Sequence, residues 1–414
     1  MKLLIKTLSL ITSLVFISAC TKAQPNDPPE TMVSADTEVE PIIIGNKLRI
    51  YSEVLGEEKE LYISLPPMYN QHVQSYPVVF ALEAEYLFEA TSTVARYMSS
   101  RSKMPESIIV GIANGEFDKR HEVGYKRWGG KPEAYIRFFK QELIPYLEEN
   151  YRVNSHRTVI GLSPSTGFLF EVFSSHPGLF KAYLALSAHL EWDRIVGSDL
   201  FDEVISKNND PNYPKSVFYF ARAASDFPTF VNSEEKFNDA LSRLENYTAD
   251  RVKIKVDIMD EEEHYLMALA GLRSGFEAIY PNNIWRNPGW AGWDKEADYA
   301  QKYFINYYDE LSSLYGFDIY PVENAHGYGF SLTGKVHSAK RFGTNQQVME
   351  LAKLGIDYYP NSAQLHMDLA EAYKKNGDIT LALEAGEKAV ELAYMYKSKN
   401  LQVFRQRLTE LKGR

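Results

Sequence analysis

Among the residues able to do covalent chemistry, Ser163 has the most informative setting. It follows the β-branched run Thr158-Val159-Ile160-Gly161-Leu162 and precedes Pro164-Ser165-Thr166-Gly167 and an apolar stretch. That order reads as a strand, a sharp turn and a helix start, the layout of a nucleophile elbow. Such a turn lifts a serine hydroxyl above a sheet and aims a helix N-terminus at a developing oxyanion. Two features depart from the full G-x-S-x-G pattern: Ser165 stands where its second glycine would be, and Pro164 has no N–H. A serine at this place also serves simply as a helix N-cap.

A nucleophilic serine needs a base, and the base needs a carboxylate to orient it. His264 lies in Asp260-Glu261-Glu262-Glu263-His264-Tyr265, just past a β-branched run and before an apolar helix pattern. Asp226 lies in Ala224-Ser225-Asp226-Phe227-Pro228, past another such run. Both are expected at the carboxyl ends of strands, where open α/β sheets place their sites. Taken singly, His264 is also explained as an exposed partner of a glutamate and Asp226 as a turn cap. Together they follow the chain order serine, acid, histidine.

The elements that must hold these residues alternate between strand and helix. Strands are predicted over 48–55, 60–66, 77–83, 107–114, 157–161, 182–187, 216–221 and 252–259, and helices over 131–150, 167–175, 234–245 and 265–280. Val78-Val79-Phe80-Ala81-Leu82 and Ile108-Ile109-Val110-Gly111-Ile112 are continuous apolar runs, as central strands of a parallel sheet covered on both faces require. The fold class is therefore α/β with right-handed crossovers, spanning 41–281 as one domain. Tyr125, Trp128 and Tyr135 border the cleft in one reading and pack the interior in the other.

The 414 residues include 45% hydrophobic and 13% aromatic side chains, enough for a substantial core. Residues 1–19 have a basic start at Lys2 and Lys6, an apolar run and a small-residue end, an export signal too short to span a membrane. Their removal leaves 43 basic against 55 acidic residues, so nucleic acid and anionic lipid should repel the chain. Ile17-Ser18-Ala19-Cys20 resembles the lipobox of bacterial lipoproteins, and Cys20 is the sole cysteine. That resemblance implies a lipid on Cys20. Thr21, which is not the aspartate associated with inner-membrane retention, points to the periplasmic side of the outer membrane. Residues 20–40 read as a flexible acidic tether.

Beyond 281 the strand signals stop. Residues 282–320 form an aromatic-rich helical connector, and 321–414 carry two look-alike segments. Gly327, Phe330, a turn at Gly334 and Ala339 are matched by Ala370, Tyr373, a turn at Gly377 and Ala382. This is similar to the tetratricopeptide helix–turn–helix, whose faces dock proteins or peptides, although a plain helical extension has the same small-residue spacing. Two copies cannot bury a continuous face, so they should pack on the connector or on the α/β domain.

The residues from about 61 to 280 resemble the esterase D and enterochelin-esterase-like group of α/β-hydrolases, in the subgroup with tetratricopeptide repeats. The resemblance is carried by Tyr62-Ile63-Ser64-Leu65-Pro66-Pro67-Met68-Tyr69, Tyr76-Pro77-Val78-Val79-Phe80-Ala81-Leu82-Glu83 and Ile109-Val110-Gly111-Ile112-Ala113-Asn114 with Arg120. Gly161-Leu162-Ser163, His176-Pro177-Gly178-Leu179-Phe180 and Glu263-His264-Tyr265 complete it. It implies an α/β-hydrolase fold and a serine hydrolase of carboxylic esters, with Ser163 as nucleophile, His264 as base and Asp226 as orienting acid. It also implies an oxyanion hole after the third strand, where Ala84 or Glu85 has a backbone N–H to offer. Ser165 is the alternative nucleophile. The competing reading is a hydrolase-like binding protein weakened by Pro164, whose repeats hold a partner. No metal or organic cofactor is expected, since no Gly-rich phosphate loop or clustered ligand set occurs.

Overall fold

The computed structural model describes residues 41–188, 200–229, 233–286, 304–324 and 331–413. The export signal, Cys20 and the acidic tether lie outside them, as do Gly327, Phe330 and residues 287–303 of the connector. From Ile44 onward the chain forms one compact unit.

Eight strands make one sheet in the order β1-β2-β4-β3-β5-β6-β7-β8. They are β1 (Asn46–Ser52), β2 (Glu57–Ser64), β3 (Tyr76–Leu82), β4 (Ile108–Ile112), β5 (Val153–Leu162), β6 (Ala182–Leu186), β7 (Ser216–Ala223) and β8 (Val252–Met259). The β1–β2 and β2–β4 pairs are antiparallel and every other pair is parallel. All residues of β3, β4 and β6 are buried, which explains their unbroken apolar runs. Alternate residues feed two cores. Val78, Phe80 and Leu82 join Phe139, Phe168 and Phe180 on one face, and Val79 and Ala81 join Leu87, Met98, Leu272 and Phe276 on the other.

The helix predicted over 131–150 is divided into α2 (Pro132–Phe138), a π-turn over Phe139–Leu143 and α3 (Ile144–Asn150). Pro145 lacks the N–H that would close the ordinary turn onto residue 141, and the wider turn absorbs that loss. Helix α1 (Ala84–Ser99), not legible in the sequence, buries Ala84, Leu87, Phe88, Thr91, Ser92, Ala95 and Met98. The polar Thr91 and Ser92 interrupt the hydrophobic period that would have announced it. The remaining helices of this region are α4 (Thr166–Ser175), α5 (Leu200–Lys207), α6 (Ser233–Ser242) and α7 (Met267–Ile279). Tyr125 and Tyr135 are buried, so these two rings pack the interior.

The C-terminal segment is all helical, with α8 (Asn306–Tyr315), α9 (Leu332–Phe342), α10 (Asn345–Tyr358), α11 (Ala363–Asn376), α12 (Ile379–Met395) and α13 (Leu401–Leu411). The turn expected at Gly334 is instead a helix start, because Ser331 Oγ accepts the Gly334 N–H at 3.1 Å as an N-cap. The chain turns at Gly343 and Thr344, and Thr344 caps α10 through the Gln347 N–H at 3.2 Å. Ala339 therefore sits in the first helix of its hairpin, as Ala370 does in the next. The second turn lies at Gly377, whose φ of 92° is the left-handed conformation of a helix C-terminus. Val336, Leu351 and Leu365 share one hydrophobic cluster with Met98, Met104, Trp285 and Tyr308, so these helices are built onto the sheet domain.

The junction contains a polar cluster. His72 Nε2 meets Glu323 Oε2 at 2.7 Å, Tyr76 Oη lies 3.3 Å from His72 Nδ1, and Asn361 Nδ2 donates to the Gln71 carbonyl at 2.9 Å. Burial pushes the Glu106 carboxyl up to about 7, with His72 pulling it down and Glu323 pushing it further up. A carboxyl raised on folding binds a proton that the unfolded chain has already released. Its contribution is therefore full below the ordinary carboxyl range and is lost as pH rises through about 7. Glu106→Gln, which keeps the neutral form, should stabilise the protein more at pH 8 than at pH 5.5, read from the two urea midpoints. Equal shifts at the two pH values would refute the assignment.

Candidate active site

The carboxyl ends of β5, β6, β7 and β8 converge. Leu162 pairs with Leu186, Leu186 with Ala221 and Ala223 with Met259, so Ser163, Ser187, Asp226 and His264 follow adjacent strand ends. Ser163 has φ 55°, a left-handed conformation that a non-glycine residue adopts only under constraint. The constraint is visible on both sides. A Cβ on Gly161 would meet Leu169 Cδ1 and the Ser165 carbonyl at 3.0 Å, and one on Gly124 would meet the Pro164 carbonyl oxygen at 2.2 Å. The loop before α2 thus presses against the turn. Tyr125 Oη and Thr166 Oγ1 lie 2.9 Å apart across that contact.

Ser165 is fully buried, and its hydroxyl accepts the Leu162 N–H at 2.8 Å and donates to the Leu162 carbonyl at 3.0 Å. It closes the turn from inside. Ser163 is half-buried, and its carbonyl accepts from Thr166 Oγ1 at 2.6 Å.

His264 Nδ1 lies 2.7 Å from Asp226 Oδ1, with Asp226 buried and the imidazole partly exposed. Asp226 is carried on a 3₁₀ turn, Ala224–Thr229, at the end of β7. Ser187 completes the arrangement, a role the sequence did not disclose. Its hydroxyl donates to Asp226 Oδ2 and lies 2.9 Å from His264 Nδ1, and its own φ is 50°. With the Nδ1 proton directed at the carboxylate, Nε2 is left as the basic nitrogen. Among the described residues no hydrogen bond joins Ser163 Oγ to His264, a link that commonly tightens only when substrate is held.

After β3 comes a third left-handed residue, Glu83, with φ 58°, which caps α1. Its carboxylate is fully buried and accepts Arg120 Nε at 2.8 Å, and Arg120 Nη1 donates to Tyr265 Oη at 2.7 Å. Burial raises the Glu83 carboxyl, opposed by Arg120 and the Ser165 hydroxyl. The Glu83 carbonyl accepts the Tyr86 and Leu87 N–H groups, so Ala84 and Glu85 precede the first closed turn. The sequence shows Glu83, Arg120 and Tyr265 only as separate motif residues. Their junction depends on a contact across 37 and 145 positions. Among the described residues no group of three or more His, Cys, Asp or Glu could hold a metal ion.

Taken with the sheet order, this is an α/β-hydrolase-like fold with an all-helical C-terminal segment. The model of the family described as "Putative esterase" matches residues 52–295, and the chain belongs to that family. It is 24% identical over 163 residues to ferri-bacillibactin esterase BesA of Bacillus subtilis, a match covering 33% of this chain and 56% of that protein. With YjcH of the same organism, an uncharacterized protein, it shares 26% identity over 149 residues, covering 34% and 61%. The matched segments thus span 56% and 61% of those two proteins. Among solved structures, an IroE-like serine hydrolase from Shewanella oneidensis has the same fold at a TM-score of 0.56 and 20% identity, covering 76% of this chain and 99% of that one. An uncharacterised protein from Capnocytophaga ochracea matches at 0.54 and 18%, covering 89% and 100%.

Proposed function

We propose that the chain is a serine hydrolase of carboxylic esters. The observation that carries this reading is the 2.7 Å pair of His264 Nδ1 and Asp226 Oδ1, at the ends of β8 and β7, on the same sheet edge as a serine held at φ 55° after β5. Ser163 Oγ attacks the acyl carbon while His264 Nε2 takes its proton. The alcohol leaves with that proton, and water repeats the sequence to release the acid. Asp226 and Ser187 hold the imidazole, and the N–H groups of Ala84 and Glu85 receive the oxyanion. Membership of an esterase family supports the reaction class. The name of BesA makes a siderophore ester one substrate to try, beside acyl-sugar, feruloyl and short-chain lipid esters.

The same proposal places the enzyme on a lipid at Cys20, on the periplasmic side of the outer membrane, with tetratricopeptide-like hairpins open to a protein partner. A second reading, a binding protein with little activity, is favoured by Pro164, which withholds one oxyanion donor. Labelling of the full chain with a fluorophosphonate probe, followed by peptide mass analysis, separates the two. Modification of Ser163 is expected. No modification where a known serine esterase labels would leave the binding reading.

A further inference from the structure

At the opposite edge of the sheet from Ser163, the amino ends of β5 to β8 border a cavity of about 470 Å³, within the size range of small-molecule sites. His156 lies in β5, Lys181 just before β6, Ser216 opens β7 and Arg251 just precedes β8. Ile279, Ile284, Leu314 and Tyr315 close the other side with an apolar wall. The floor is polar and poorly satisfied. His156 is 7% exposed and neither ring nitrogen has a hydrogen-bond partner of good geometry. The Ser216 hydroxyl and Arg251 Nε are buried without one as well. Groups of this kind are destabilising unless something pairs with them.

The charge is equally uneven. In a chain of net charge −10, the lining holds Lys181, Lys215, Lys253 and Arg251 against one carboxylate, Asp250. Lys253 is engaged with the Ala278 carbonyl at 2.8 Å, and Asp250 approaches Arg251 only to 3.8 Å. Among the described residues Lys181 and Lys215 have no ion-pair partner. Burial lowers the His156 pKa to about 4, with Lys181 acting in the same direction and a backbone group of Tyr315 opposing both, so its ring is neutral near pH 7 and carries both a donor and an acceptor.

We propose that this cavity is a second ligand site, for a small carboxylate with an apolar body. The cations take the head, Ser216 and His156 supply hydrogen bonds, and the wall of Ile279, Ile284 and Leu314 receives the hydrocarbon. Asp250 beside the cations favours a single negative charge over a doubly charged phosphate. The site is independent of the ester chemistry at the far edge.

Titration calorimetry of the full chain with octanoate tests it, with inorganic phosphate as the head-group control. Saturable 1:1 binding of octanoate is expected, at least tenfold tighter than phosphate. It should persist in His264→Ala, weaken at least tenfold in Lys181→Gln/Arg251→Gln, and disappear in Ala249→Trp, which obstructs the mouth from an exposed lining position. Thermal unfolding of each variant verifies the fold. Absence of saturable octanoate binding overturns the proposal. So does binding that is lost in His264→Ala or unchanged in the cavity variants, or phosphate binding as tightly as octanoate.

Discussion

Ser163→Ala is expected to lower kcat/KM for a p-nitrophenyl short-chain ester by about 10⁵–10⁶-fold, leaving only the slow catalysis that binding and the oxyanion site provide. Thermal stability should change little or rise. The left-handed conformation at φ 55° positions the side chain, and among the described residues no hydrogen bond from the Ser163 hydroxyl supports the fold. Ser165→Ala is the informative contrast. Its hydroxyl ties both backbone groups of Leu162, so its removal should destabilise the protein by about 1–3 kcal/mol while reducing activity far less than Ser163→Ala. The kinetic loss and the stability loss therefore fall on different serines two positions apart. If Ser165→Ala removed the activity and Ser163→Ala spared it, the reading of the turn would be reversed.

What the sequence discloses follows from how local each cause is. The strand run ending at Leu162, the small Gly161 that lets the turn pack against it and the helix beyond are encoded within ten residues, and so is the layout of the elbow. Asp226 and His264 are visible because each directly follows a strand, and strand ends in a parallel sheet share one edge. Ser187 also follows a strand, yet no local motif marks it. Its part depends on β6 lying between β5 and β7, a neighbour relation set by the whole sheet. The Glu83–Arg120–Tyr265 contact is hidden for the same reason. Helix α1 is obscured by Thr91 and Ser92 on its buried face, and the first C-terminal hairpin is displaced because Gly334 reads as a turn, whereas Ser331 caps the helix that contains it. The cationic cavity is invisible in the sequence, since His156, Lys181, Ser216 and Arg251 are scattered over 95 positions and meet only at the amino edge of the sheet.

Pro164→Ala is expected to raise kcat, by as much as about 10²–10³-fold, because it restores the N–H that follows the nucleophile in an elbow of this kind. The backbone is already shaped to use it. Ser163 is left-handed, residues 163–165 form the first turn of the helix, and Gly124 packs so closely on the Pro164 carbonyl that the turn is held from outside. Proline is accommodated there because the first N–H groups of a helix have no partner within it. Its loss should therefore cost only about 0.4–1 kcal/mol through a more flexible unfolded chain. An added donor that acts on the oxyanion more than on the ground-state carbonyl raises kcat with little change in KM. A fall in KM alone would mean that the new N–H binds substrate and transition state alike. An unchanged kcat would mean that the donors after β3, at Ala84 and Glu85, already carry the oxyanion without help from the elbow. Ser163→Ala in the Pro164→Ala background closes the argument, since any rate gained through this N–H must vanish with the nucleophile beside it.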